Sequence, residues 1–413
     1  SVWRRSIYRA GQLVSHTRNT SSIRFLTTLF VLQLLTACAL PVPVPVPEPQ
    51  HVKRLLDLVG DVNLIQAIQA PSANALLEIG VQVFSTAQKE AEEYEIGDWV
   101  FDEIIQKETQ FLPHLLKNTL VDSRQWGAIR VIPDRDPSLD LIVEGQIVQS
   151  DGETLELQIR AFDSSGREWL NKTYADQSIQ EEYPESTRFT LDNTFDAINF
   201  VDPFQDIYNR IANDLVAVRT NLGEQTLRDL NLVTDMLYAG DLSPSDFSGA
   251  VKENEDGLLV IDRLPSLDDP MMARVADMKY RHHLFIDTVD EYYQTLYEDI
   301  QPAYVLWRRY SIDQITEIET SQQEASQSDY GSSSGFLSLS QRYDRFKWSK
   351  IFEREFNDLA AGFNNELAPA FLELNSQVHG LTGTMEQQYR EWRGILRRLF
   401  ELENGELTTN ATE

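Results

Sequence analysis

Four groups of side chains have types and spacings that could do chemistry. Gly331, Ser333 and Gly335 satisfy the G-x-S-x-G pattern of a serine nucleophile, which needs a strained strand-to-helix turn and a nearby histidine. Segment 321–340 around them is rich in Ser, Gln and Gly, and only His379 follows, so a flexible linker or loop is expected there. His283, Asp287 and Glu291 recur every four residues and share one face of a helix. Histidine with carboxylates suits zinc or another divalent cation, although no second histidine or cysteine stands at the next turn. The alternative there is a polar helix face or an interhelical hydrogen bond. Tyr292, Tyr293, Tyr297, Tyr304, Trp307 and Tyr310 could stack a glycan, and at near-helical spacing they could equally be core. Asp290, Glu291 and Glu298 lie among them, but glycoside hydrolysis needs two carboxyls at a set separation, which spacing alone does not define. Asp134, Asp136 and Asp140 match the start of a calcium loop without its central glycine or closing glutamate. None of these groups makes a catalytic assignment or calls for a cofactor.

The single cysteine, Cys38, sits where a leader would end. Arg4, Arg5, Arg9, Arg18 and Arg24 precede it with no acid among them, and an apolar run spans 25–35. That run is shorter than the ~20 residues of a membrane-spanning helix and has the layout of a secretory signal. Leu35, Thr36, Ala37 and Cys38 together resemble a bacterial lipobox. The resemblance implies cleavage before Cys38, a diacylglyceryl thioether on its sulfur and an acylated new N-terminus. Several acyl chains anchor firmly because each buried CH₂ contributes ~0.8 kcal/mol. Ala39 stands where many such proteins carry an inner-membrane aspartate, so the same analogy implies the periplasmic face of the outer membrane. Pro41, Pro43, Pro45 and Pro47 then alternate with valine, a pattern favouring an extended, semi-rigid stalk.

Composition places the rest among globular chains. Apolar residues make up 42% and aromatics 10% of 413 residues, enough for two or three domains. The formal charge of −29, more negative still without the arginine-rich leader, repels nucleic acid and anionic headgroups. With one cysteine, no intramolecular disulfide can form, and stability rests on buried apolar surface.

The elements divide into a mixed part and a helical part. Segment 76–85 reads as a buried strand, an amphipathic helix follows around 100–122, and strands follow at 127–133, 139–150 and 153–163. Asp151 and Gly152 mark a hairpin, and Ser164, Ser165 and Gly166 mark a second turn leading into another strand-like run. The expected fold is α+β: a small β-α-β-β-β domain, one helix on a mostly antiparallel sheet, then a mainly helical region. Asp202 with Pro203 and Asp269 with Pro270 signal helix starts, Gly240 a helix end, and Pro302 and Pro369 breaks. The expected division is a leader at 1–37, a lipidated tether with a short helical lead-in at 38–75, the βαβββ domain with an irregular tail at 76–200, and a helical domain at 201–413. Segment 241–268 reads as irregular, and two helices separated near Pro369 are expected over 342–404.

The strand order, with DLIVEG and AFDSSGREW at its turns, is similar to a module of bacterial envelope lipoproteins. Examples are the N-terminal domain of the Tol-system translocation protein, the lipoprotein activators of penicillin-binding proteins, and curli-secretion lipoproteins. That likeness covers about a quarter of the chain, and a shared fold does not carry function. LLKNTLVDSRQWGAIRVIPD, DPFQDIYNRIANDL and LPSLDDPMMARV resemble a family of uncharacterised proteobacterial outer-membrane lipoproteins, from about 76 to 311. The function expected is a non-enzymatic docking or scaffold component, held to the membrane through Cys38 and partnered by an envelope protein. Two alternatives stay open: a carrier of a small hydrophobic or glycan ligand using the aromatic helices, and a hydrolase acting on cell-wall material.

Overall fold

The computed structural model describes residues 57–87, 102–185, 195–197, 199–266, 269–327, 354, 371–374, 377–381 and 383–403. Leu56–Glu413 form one compact unit. Cys38, the proline ladder, the serine motif at 331–335 and nearly all of the helix expected before Pro369 lie outside the described residues.

The centre is a six-stranded mixed sheet. It contains β1 (Ile79–Gln82), the two-residue β2 (Ser85–Thr86), β3 (Ile129–Ile132), β4 (Leu141–Ser150), β5 (Thr154–Asp163) and β6 (Glu168–Gln177). The order is β3-β1-β4-β5-β6, with β2 beside β4. β4, β5 and β6 form the expected antiparallel meander, in which Leu155, Leu157, Ile159 and Ala161 alternate onto one buried face. β1 instead lies between β3 and β4 and is parallel to both. Helix α1 (Asp102–Ser123) makes the first parallel link and packs Phe111, Leu112, Leu116 and Leu120 on the sheet. The second link, residues 133–140, has no helix and crosses β1 directly. It can do so because β1 carries Gly80 at the crossing: a Cβ there would lie 2.5 Å from Ile132 Cδ1 and 2.8 Å from Leu139 Cδ1.

The remaining elements cover both faces. They are α2 (Gln205–Leu242), α3 (Pro244–Phe247), the hairpin β7 (Val251–Glu253) and β8 (Leu259–Ile261), α4 (Pro270–Gln327), the hairpin β9 (Phe371–Leu374) and β10 (Gln377–Gly380), and α5 (Met385–Glu403). One core joins α1, the first half of α2 and Leu296, Ile300, Tyr304 and Trp307 of α4 to the face of β1, β4 and β5. The other joins Val275, Met278, Phe285, Ile286 and Val289 of α4, together with α5 and the second half of α2, to Ile132, Leu139 and Ile142. Among the described residues, those after 200 therefore share both cores with the sheet.

Several local expectations change. Of the expected lead-in, the described residues 57–72 form no helix, and one 3₁₀ turn stands at Ala73–Ala75. The helical stretch between the Asp202 start and the Gly240 end is broken at Gly223, whose φ of +77° is unstrained only for glycine. Helix α2 continues past Gly240 to Leu242, and 241–268 contains α3 and a hairpin rather than only loop. Helix α4 opens as expected, with Asp269 Oδ1 accepting the Met271 N–H at 2.9 Å. It then runs 58 residues, about 87 Å at 1.5 Å per residue, through Pro302 and through 321–327 of the expected linker. Buried Ile300, Tyr304 and Trp307 flank Pro302, and this packing outweighs the lost backbone hydrogen bond. After Pro369 comes a hairpin; α5 starts only at Met385, where Thr384 and Gln387 form a capping box.

The edge strand β3 is closed by α4. Asp290 Oδ1 accepts the Val131 N–H at 2.8 Å, Asp287 Oδ1 accepts Arg130 Nε–H at 2.5 Å, and Lys117 of α1 pairs with Asp290. Gly80→Val should lower the unfolding free energy by about 1–3 kcal/mol, because the buried side chains of Ile132, Leu139 and Ile142 must repack around it. Denaturant unfolding of the two proteins checks this.

Candidate functional site

The crossover between β3 and β4 carries the chemistry-bearing groups. Its sequence Asp136-Pro137-Ser138 favours a turn, with aspartate at the first position and proline at the second. Asp136 Oδ1 accepts both the Ser138 N–H at 2.8 Å and the Ser138 hydroxyl at 2.6 Å. Its other oxygen receives His282 Nε2–H of α4 at 2.6 Å and the Tyr389 hydroxyl of α5 at 2.5 Å. Burial opposes the ionised form of Asp136. The His282 ring and the hydrogen bonds from His282, Ser138 and Tyr389 outweigh it and hold the carboxyl well below the usual range.

His283, one residue on and about 100° around α4, faces the other side of the same serine. Its Nε2 lies 3.1 Å from Ser138 Oγ, and its Nδ1 lies 3.5 Å from Glu78 Oε2 at the entry to β1. Serine, histidine and glutamate thus stand in the order of a hydrolytic triad. The proton order is reversed. Ser138 gives its hydrogen to Asp136, so His283 Nε2 must donate to Ser138 Oγ and cannot act as the base that a nucleophilic serine needs. Ser138 is also 0% exposed. Burial, then the charges of Arg130 and Lys279, lowers the His283 pKa to about 3, so the ring is neutral. Burial raises Glu78 against the pull of Lys279 and Arg130. At 3.5 Å the Glu78 contact is too long to orient the His283 ring as a triad acid would.

Beside this cluster opens a cavity of about 510 Å³, lined in part by Glu78, Asp140, Asp235, Lys279, Tyr280 and His283. Asp140 is raised chiefly by burial, and its oxygens accept the Glu78 N–H at 2.9 Å and the Thr234 hydroxyl at 2.7 Å. Lys279 donates to Asp235 at 2.8 Å; burial lowers its pKa, but Asp235 and the neighbouring acids raise it further. The cavity therefore holds partnered charges, with the Glu78–His283 pair at its inner wall.

The residues expected to bind metal separate in the structure. His283 turns to Ser138 and Glu78, Asp287 is taken by Arg130, and Glu291 is exposed. Asp134 accepts the Arg135 N–H while Asp136 and Asp140 serve the contacts above, so the calcium-like spacing forms no loop site. Among the described residues no three His, Cys, Asp or Glu groups converge to hold a metal. The aromatic set is mostly core: Tyr292, Tyr293, Tyr304 and Trp307 are buried, in two different cores. Tyr304 and Trp307 pack around the Arg308–Glu108 ion pair. Tyr297 is the member that lines a cavity. Sequence reasoning missed Glu78 and Ser138 altogether and weighed Asp136 only as part of an incomplete calcium loop. The adjacent pair His282 and His283 was the one local signal of this site.

Among the described residues no helix is long and apolar enough to cross a membrane. No protein-family model, curated protein or solved structure matches the chain.

Asp136→Asn places an NH₂ or a weaker acceptor against two donors and should cost about 3 kcal/mol of stability at neutral pH. The fold stabilises the ionised carboxylate over the neutral acid. Its contribution is therefore full above the unfolded value of about 3.9 and fades as pH falls toward the lower folded value. Urea unfolding of both proteins at pH 7 and pH 3 should show the gap shrinking in acid.

Proposed function

We propose that this protein is a lipoprotein anchored through Cys38 at the periplasmic face of the outer membrane, and that its folded body docks onto another envelope component without catalysing a reaction. The observation that carries this reading is how the segment after the proline ladder is fastened. The Val59 N–H reaches the Ala175 carbonyl of β6 at 2.8 Å. Asp206, Asn209 and Asn213, on one face of α2, then bind the main chain of the strap. Asp206 accepts the Val62 N–H, Asn209 donates to the Val62 carbonyl, and Asn213 accepts the Ile65 N–H while donating to the Asn63 carbonyl. Ala67 N–H closes the run on the Ser123 carbonyl at 2.8 Å. A linker that only joined two parts would not need this lacing. A stalk that must hold a body at a set exit point does.

The Ser138–His283–Glu78 arrangement supports the non-catalytic half of the reading, because its hydroxyl hydrogen is committed to Asp136 and its serine is sealed. The resemblance to uncharacterised proteobacterial outer-membrane lipoproteins supports the compartment, and the strong negative charge argues for protein rather than nucleic-acid partners.

Cys38→Ala should lose incorporated acyl label and move from the membrane to the soluble fraction. Affinity capture from crosslinked cells should recover one envelope assembly with the wild type and lose it with the variant. Recovery of nothing at saturating crosslink, or of the same assembly by the soluble variant, would overturn tethered docking.

A further inference from the structure

We propose that a second cavity, of about 490 Å³, between the C-terminal half of α1, the segment entering α2 and the Pro302 turn of α4, binds a small uncharged sugar. The proposal goes beyond the docking reading and holds whether or not Cys38 carries lipid. Two aromatic rings, Phe200 and Tyr297, stand in its wall with Asn118, Asp122, Glu298 and Gln301.

This wall has hydrogen-bonding capacity left over. Among the described residues the Asn118 side chain has no hydrogen-bond partner. Gln301 donates one amide hydrogen to the Tyr297 hydroxyl at 3.0 Å, which leaves the tyrosine's own hydrogen and the Gln301 carbonyl oxygen to be used. Glu298 Oε1 accepts the Gln294 amide at 2.9 Å, and Oε2 remains. Pro302 has no N–H to give the Glu298 main-chain carbonyl, so α4 adds a further acceptor on the same residue.

The mixture selects the ligand. A sugar hydroxyl both donates and accepts, so it can satisfy amide donors, amide acceptors and carboxylates set side by side. Its C–H faces pack against aromatic rings. No Lys, Arg or His lines the cavity, so phosphorylated or carboxylated ligands would meet only like charge. A metal ion is disfavoured as occupant, because among the described residues no three ligating groups converge.

The test is ligand-observed saturation-transfer NMR on the full chain. The probes are glucose, N-acetylglucosamine and N,N′-diacetylchitobiose, with glucose 6-phosphate and glucosamine as charged controls. At least one uncharged sugar should bind with a Kd of about 1 mM or tighter, and Asn118→Ala and Gln301→Ala should each weaken it up to about tenfold. Asn118→Ala should keep the wild-type melting temperature, which separates lost contact from lost fold; Gln301→Ala also loses its bond to Tyr297 and should melt somewhat lower. The proposal fails if no uncharged sugar binds at about 10 mM, or if both variants bind as the wild type does. Glucose 6-phosphate binding as well as glucose would overturn the charge argument. Tighter glucosamine than N-acetylglucosamine would replace the uncharged ligand with an ammonium one.

Discussion

The structure depends most on one ion pair buried among aromatic rings. Arg308 Nη2 meets Glu108 Oε1 at 2.8 Å, with both side chains 2% exposed or less. Arg308 also donates to Tyr304 and Ser150, and Tyr304 donates to the same glutamate oxygen. Burying two charges is costly, and once they are buried neither can lose its partner cheaply. The pair therefore fixes α4 against α1 and the end of β4 at one rotation and one height. Everything upstream on α4 inherits that setting: Asp287 and Asp290 arrive at the open edge of β3, and His282 and His283 arrive at the crossover.

The Asp136 cluster shows how little separates a clamp from a catalyst in composition. A serine, a histidine and a glutamate stand side by side, and the deciding feature is where one hydrogen goes. Asp136 takes it. The same carboxylate joins the crossover to α4 and α5, so it holds three elements that share no local sequence. A strong acceptor at that point serves assembly, and the tautomer it imposes on His283 follows from assembly rather than from chemistry.

Much of the sheet was legible because its cues are local. The two-residue alternation of Leu155, Leu157, Ile159 and Ala161 and the Asp151–Gly152 turn placed β4 and β5 nearly to the residue. The position of β1 between β3 and β4 was not legible, since strand order depends on a close approach at Gly80 that no local pattern encodes. Pro302 was misread for the opposite reason: its local signal is strong, but apolar packing on both sides overrides it. The start of α5 was present as a capping box at Thr384 and Gln387 and was overlooked in favour of Pro369. The site was the least legible part. Asp136 meets His282 across 146 residues and Tyr389 across 253. With 65 acids in the chain, nothing in one dimension distinguishes the one that matters.

The lacing of residues 59–67 onto β6 and α2 has a mechanical consequence. A pull on the chain at Asp57 reaches the Val59–Ala175 hydrogen bond first and then passes to Asp206, Asn209 and Asn213. Those three residues precede Gly223, so the load enters the half of α2 that belongs to the first core. Beyond the break at Gly223, Leu227 and Leu230 still pack in the first core, while Met236, Tyr238, Ala239 and Leu242 pack in the second. Such a pull enters through β6 and α2, whereas the Asp136 cluster joins the crossover to α4 and α5.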